Sequence, residues 1–535
     1  MDFKINQDYL EETLMKIEQV RSWSPRVVSK LENFIRTAGD EDLFRISPLQ
    51  WAAEKNVDEH EALDLFLHSA KAGLFYMDWN VICPCCGKIT QSFRDLHRVQ
   101  SVSTCKLCFR KDQANLDDSV QITFTVSPSI RSIRFHHPET LSLDDYCFKY
   151  LFEPSTIVAG MMTLNDAFLY TKRHFSTFSP GEKITVETDV GIGALGSLDL
   201  FAQQSFGLLA SGKPATDVQR IAVRLTDGGF EVPLPAMEPG EFNVGPLAYA
   251  GTFYKIHPGK VILEFEQDAS VEGVLLVSFF PIPLDGVGGF ILPSNLPGER
   301  TPEMTSYIDN LQHGSTDIQI FPDNKYSILP LSARQLFACQ TFHDLFRAEV
   351  FQETEGFGVK DITFLFTDLK SSTQLYQQIG DLNAYALVRE HYGVLNKAIL
   401  NHHGAIVKTI GDAIMATFNQ PEEAVGAGLE MLEGLRSLNQ TSHYGNLILK
   451  VGIHRGAAIS VTLNERIDYF GQTVNIASRV QNSAGGDEIY LTEGIYNDPA
   501  VLEQLQKNGC ATEPVLLQLK GIDEQMKIYK VALSN

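Results

Sequence analysis

The stretches Ile362–Thr373, ITFLFTDLKSST, and Ala405–Phe418, AIVKTIGDAIMATF, decide how the chain is read. In the first, Ile362, Phe364 and Phe366 alternate with Thr363, Leu365 and Thr367, the period of two expected of a strand. That strand ends on an acid, Asp368. Ser371, Ser372 and Thr373 follow as N-capping hydroxyls for a helix carrying Leu375, Ile379, Leu382 and Tyr385. The second stretch reads as two short apolar strands around the tight turn Gly411-Asp412. A strand end and a hairpin apex can bring Asp368 and Asp412 together although 44 positions separate them. Two carboxylates beside a helix N-terminus make a site for hard cations and phosphates.

The rest of the chain has to house and control such a site. Its 535 residues suffice for three or more domains with their own cores. With 44% hydrophobic and 21% charged residues the composition is that of a globular protein. A net charge of −22 weighs against broad nucleic-acid binding, which needs a basic face. The opening MDFKINQDYLEETL has no apolar signal core, and the most apolar later run, residues 271–293, is broken by Pro281, Pro283 and Asp285. That run is a poor membrane span. The expected location is cytoplasmic, with no membrane partner.

Taken in order, residues 1–82 read as a helical, winged-helix-like segment. Ser24-Pro25 and Ser47-Pro48 each pair an N-cap with proline at the first helical position, and Asp58 opens a third helix that stops near Gly73. An extended stretch, residues 74–82, follows. The third helix starts with Asp58, Glu59, Glu61 and Asp64 rather than a row of basic residues, so a packing or protein-contact role fits better than DNA binding. Residues 83–112 hold Cys83-x-x-Cys86 and Cys105-x-x-Cys108 with 18 residues between the pairs, the spacing of a tetrahedral structural zinc site. Cys85 is a spare thiol in that set. The segment is locally basic, 6 Lys/Arg against 2 Asp/Glu over residues 81–112, which keeps nucleic-acid contact as a minority reading.

Residues 113–330 read as a β-rich regulatory region of one or two β-sandwich units. Gly191, Gly193 and Gly196 match G-x-G-x-x-G, but no βαβ unit surrounds them, so they read as turn glycines. Residues 331–357 form the linker, with an amphipathic coupling helix expected over Leu336–Phe351. Residues 358–535 complete the chain as a separate catalytic unit. The fold class is therefore multidomain α+β.

From Val359 to Ala532, about a third of the chain, the motifs FTDLKSST, VKTIGD, RIDYFGQTVNIASR and LKGI resemble the class III nucleotide cyclases, the family of adenylate and guanylate cyclases. The order strand, helix, strand, hairpin strand, helix, strand from Ile362 to Val461 fits that family's ferredoxin-like core. The resemblance implies that Asp368 and Asp412, with the Leu369 carbonyl, hold two Mg²⁺ or Mn²⁺ ions. It implies that the amides of Lys370, Ser371, Ser372 and Thr373 cradle phosphates. It assigns Lys408 and Asp468 to reading the purine as adenine, Asn475 to the ribose, Arg479 to charge developing on the α-phosphate, and Lys520 to the outer phosphates. DYFG departs from the family's more familiar D-I-W-G.

In this family the metal acids and base readers of one site come from different subunits, which implies a homodimer binding ATP. The implied activity is adenylate cyclase, converting ATP to cyclic AMP and pyrophosphate by two-metal-ion catalysis. The helical and zinc segments motivate an alternative: a nucleotide-sensing DNA- or protein-binding regulator whose cyclase-like domain is not catalytic. Guanylate cyclase activity is the third reading. Residues 1–330 are expected to take a regulatory ligand or protein that no motif identifies.

Overall fold

The computed structural model describes residues 5–83, 88–105, 111–143, 145–151, 157–158, 162–163, 172–199, 204–235, 241–244, 247–250, 252–268, 273–281, 330–441, 446–522 and 525–533. Four helices open the chain: α1 (Gln7–Val20), α2 (Val27–Thr37), α3 (Pro48–Lys55) and α4 (Glu59–Lys71). Ser47 and Asp58 cap α3 and α4, each accepting from the backbone amide three residues on. Ser24 does not cap α2 as expected. That helix starts two residues later, after Arg26 in the left-handed region, and uses no side-chain cap.

The helices pack on a sheet of β1 (Phe75–Ile82), β2 (Ile89–Phe93) and β5 (Val120–Val126), while β3 (Val102–Thr104) and β4 (Lys111–Gln113) form a separate hairpin. By sequence β5 belongs with the β-rich region. It pairs with β1 from Val81↔Val120 to Phe75↔Val126, because its apolar face completes the core under α4. Cys83 directly follows β1 and Cys105 directly follows β3. Cys83 and Cys105 are buried at 3% and 2% exposure, and the Cys83 amide donates to the Lys88 carbonyl at 2.9 Å. Cys86, Cys108 and the spare Cys85 lie outside the described residues.

Among its described residues the β-rich region forms two larger sheets and two short strand pairs, 157–158 with 162–163 and 241–244 with 247–250. Of the larger sheets, one runs in the order 252–256, 204–210, 193–199, 273–281, 172–178, and the other 229–231, 219–226, 259–267, 183–190. Phe178, Leu195, Phe206 and Val277 of the first share a core with Val186, Val223, Leu263 and Phe265 of the second. Gly193 and Gly196 lie within a strand that is followed by another strand, so the glycine motif opens no helix.

The expected coupling helix is two short ones, α5 (Ala333–Phe337) and α6 (Gln340–Leu345), preceded by β6 (Leu331–Ser332), which joins β5 at the edge of the N-terminal sheet. The break has a packing cause. Five residues on one helix would turn Phe337 and Phe342 about 140° apart. Broken at Cys339, the chain sets both rings 5.9 Å from Trp79 on β1.

The C-terminal unit runs β7 (Gly356–Leu369), α7 (Ser372–Ile379), α8 (Asp381–Asn401), β8 (Ala405–Ile410), β9 (Ala413–Phe418), α9 (Pro421–Thr441), β10 (Leu449–Leu463), β11 (Arg466–Phe470), α10 (Gln472–Ser483), β12 (Glu488–Thr492), β13 (Ala511–Leu517) and β14 (Met526–Ala532), with two short helices between β12 and β13. The sheet order is β8-β9-β7-β10-β12-β14-β13, with β11 folded back on β10. Its first four strands, β8-β9-β7-β10, have the ferredoxin-like order that the sequence implied. One face is covered by α8 and α9 through Leu387, Leu395, Ala424 and Leu432. The other face, with Phe364, Phe366 and Met415, shares one core with the N-terminal helices and the linker. Rings pass from Trp79 through Phe337 and Phe351 to Phe357 on β7.

Candidate active site

β7 delivers Asp368 one residue before its end, where it pairs with Lys450 of β10. The β8–β9 hairpin turns at Gly411, whose φ of +64° is the left-handed geometry that glycine adopts without strain, and presents Asp412. Two residues of α8, not singled out from sequence, brace that turn from behind. His391 Nε2 donates to the Asp412 carbonyl at 3.2 Å, and the Tyr392 hydroxyl donates to the Gly411 carbonyl. Their only sequence signal is a His-Tyr pair on a helix that the hairpin must cross.

The Asp368 carboxyl feels its neighbour. Burial, and then the charge of Asp412, hold the Asp368 carboxyl above the usual range, with Lys450 and the Gln481 amide partly offsetting them. Asp412 Oδ2 and the Tyr376 hydroxyl are buried close to one another, and neither makes a hydrogen bond of good geometry among the described residues, so the phenol only partly offsets the carboxylate. Burial and the Asp412 charge push the Tyr376 phenol up. An orphaned carboxylate oxygen beside a second acid is costly without a cation and is the donor set that a hard divalent ion takes. Asp368 and Asp412 thus fit Mg²⁺ or Mn²⁺. No cluster of three or more metal-ligating side chains occurs among the described residues.

The turn after β7 differs from its expected form. Ser371 precedes α7 with φ +59° and makes no side-chain cap, so the predicted N-capping hydroxyl is not used there. Lys370 Nζ donates to the Gly485 carbonyl at 2.8 Å, fastening this turn to the loop after α10. Thr373 is placed by its backbone in the first turn of α7.

A second cluster lies on the face shared with the linker. Lys408 sits opposite Met415 in the β8–β9 register, and its Nζ is 2.5 Å from Asp468 Oδ2 on β11. The lysine is 38% exposed and the aspartate 9%, so the carboxylate is the buried partner. A third group lies on α10. Asn475 is exposed and Arg479 half-buried, and a Cβ on Gly521, next to Lys520, would stand 3.5 Å from the Arg479 guanidinium. Gln481, turned about 200° from Arg479, packs on β10 at Gly452 and faces Asp368. Asn475 and Arg479 therefore point away from the acids of their own chain.

Residues 357–532 match the family described as adenylate and guanylate cyclase catalytic domain. The C-terminal third of the chain thus matches the catalytic domain of the class III nucleotide cyclases. An adenylate cyclase of Anabaena cylindrica is 28% identical over 34% of this chain and 38% of its own length. Adenylate cyclase 1 of Rhizobium meliloti is 29% identical over 32% and 27%. The chain thus spans well under half the length of these curated relatives. Among solved structures, the adenylyl cyclase CyaB of P. aeruginosa is 24% identical over 34% of this chain and 97% of that one, with a TM-score of 0.30. Residues 10–248 match a family of unknown function, DUF5939.

Within the matched domain, His454 is half-buried with Nδ1 3.0 Å from Thr492 Oγ1, and desolvation lowers it to about 4. It is a neutral packing histidine. No helix among the described residues is long and apolar enough to cross a membrane.

Proposed function

We propose that the chain is an adenylate cyclase making cyclic AMP and pyrophosphate from ATP in a homodimer with two equivalent sites, in the cytoplasm and under control of residues 1–330. The observation that carries this reading is the pair Asp368 and Asp412, held with an orphaned buried oxygen at a strand end and a hairpin apex. A divalent cation bound there would lower the pKa of the ATP 3′-hydroxyl and neutralise the triphosphate. The residues do the rest. Backbone amides at Lys370–Thr373 receive phosphate oxygens, Lys520 takes the outer phosphates, and Arg479 offsets charge at the α-phosphorus. Lys408 donates to adenine N1 and Asp468 accepts from the exocyclic amine, a pattern that guanine reverses.

The direction of two side chains supports the dimer. Asn475 and Arg479 face away from the acids of their own chain, so a complete set needs a second copy. Mixing inactive Asp412→Ala with inactive Arg479→Ala tests this: restored turnover supports a shared site, and two variants that stay dead when co-expressed and co-purified exclude it.

In the same reading, the two cysteine turns hold one structural zinc per chain. Cys83 and Cys105 are buried at neighbouring turns, and Thr90 of β2 lies 3.4 Å from Ser103 of β3. Elemental analysis of washed protein should find one equivalent, and finding none would exclude the site.

A further inference from the structure

A cleft of about 920 Å³ opens between the linker at residues 340–350, α8, the edge strand β8 and the β10–β11 turn. Ligand sites are commonly about 300–1,000 Å³. Lys408 and Thr409 form one side, so the cleft continues from the purine-reading lysine. Phe346 and Arg347 of the linker and Arg466 of β11 line it as well. Neither Arg347 nor Arg466 has an ion-pair partner among the described residues.

The linker wall is fixed at both ends. Gln340 Oε1 accepts from the Ile406 amide at 2.8 Å, on the side of β8 that no strand covers. Thr341 donates to Asp64 of α4 at 2.6 Å, and Glu349 accepts from the Leu96 amide at 2.8 Å. Tyr392, which lines the same cleft, holds the Gly411 carbonyl beside Asp412. One cavity thus touches the N-terminal region, the base-reading strand and the brace of the metal-acid turn.

We infer that residues 340–350 are the outer wall of the nucleotide site, with Arg347 and Arg466 as positioning residues for a purine nucleoside triphosphate. A guanidinium both stacks on planar rings and donates to phosphate oxygens, so a nucleotide is the class of ligand that engages Lys408, Arg347 and Arg466 together. This rests on the assignment of Lys408 to the purine. It adds that the docked N-terminal region acts on nucleotide affinity, by moving a wall of the site, rather than on the chemical step.

The test uses the full chain. KM and kcat for ATP are measured for Arg347→Ala, Arg466→Ala and Arg347→Lys, together with the affinity for 3′-deoxy-ATP, which cannot cyclise. Both arginines are exposed, so the fold should survive, and thermal unfolding checks it. Arg347→Ala should raise KM and weaken 3′-deoxy-ATP binding by about fivefold or more, as loss of one charged hydrogen bond does, while kcat changes less. The Lys variant should recover part of that loss. Unchanged KM and unchanged analogue affinity in both alanine variants would overturn the inference, even if the wild type makes cyclic AMP. A wild type that binds the analogue but makes no cyclic nucleotide would sink the proposed reaction. Weakened analogue binding by the variants would still support the wall.

Discussion

Lys408 Nζ and Asp468 Oδ2 lie 2.5 Å apart, so the two groups assigned to the purine satisfy one another before any base arrives. On the proposed reading, adenine would insert between them and replace one charge-assisted bond with two hydrogen bonds. Lys408→Ala leaves the buried Asp468 carboxylate without its cation, which is unfavourable for the fold and for base binding. We expect kcat/KM for ATP to fall about 100-fold, roughly 2.7 kcal/mol. Steady-state kinetics with ATP and GTP checks this, and an unchanged ATP to GTP preference would remove Lys408 from base selection.

Asp412 carries the opposite trade. Its Oδ2 is buried without a well-formed hydrogen bond among the described residues, and its charge acts on Asp368. Asp412→Asn should therefore stabilise the metal-free protein by about 1–2 kcal/mol while cutting turnover by about 10³-fold or more. Thermal unfolding in EDTA and product assays read the two effects separately. A destabilised Asp412→Asn protein would mean that the acid is held for structure.

The aromatic path from Trp79 to Phe357 makes the N-terminal region and the cyclase domain share one core. Phe342, 1% exposed, packs on Trp79 and Phe337 within it. Phe342→Ala should cost about 3–4 kcal/mol and shift the unfolding of both parts together. Calorimetry showing the cyclase domain melting at its wild-type temperature in this variant would contradict a shared core.

Glu423, at the start of α9, lies 3.6 Å from His60 of α4, whose ring stacks on His403 at 3.6 Å between centroids. Burial raises Glu423 to about 7, with Glu422 adding and Arg334 opposing. A carboxyl raised on folding binds more protons folded than unfolded between its ordinary value and about 7. It therefore costs stability progressively as pH rises through that window. Glu423→Gln removes the penalty. The variant should unfold at higher temperature than wild type at pH 8, by a margin of order 1–2 kcal/mol, and show no gain at pH 4.5. An equal gain at both pH values would place the effect elsewhere.

The sequence carried the cyclase domain well because its signals are local. Period-two alternation ended on Asp368, Gly411 sat where the turn needs positive φ, and helical spacing put Asn475 and Arg479 on one face. What it hid was set by distant contacts. β5 belongs to the N-terminal sheet because β1 supplies its partner, and the linker helix breaks because Phe337 and Phe342 both seek Trp79. His391, Tyr392 and Gln340 act through backbone carbonyls and amides, so no spacing rule marks them.

The most direct measurement is product analysis after incubating the purified full chain with ATP or GTP, each with Mg²⁺ and with Mn²⁺. The account predicts cyclic AMP and pyrophosphate from ATP, and none when Asp368 or Asp412 is replaced by alanine. Cyclic GMP from GTP in place of cyclic AMP would contradict the reading of Lys408 and Asp468. Cyclic AMP formation that survives loss of both acids would contradict the site itself.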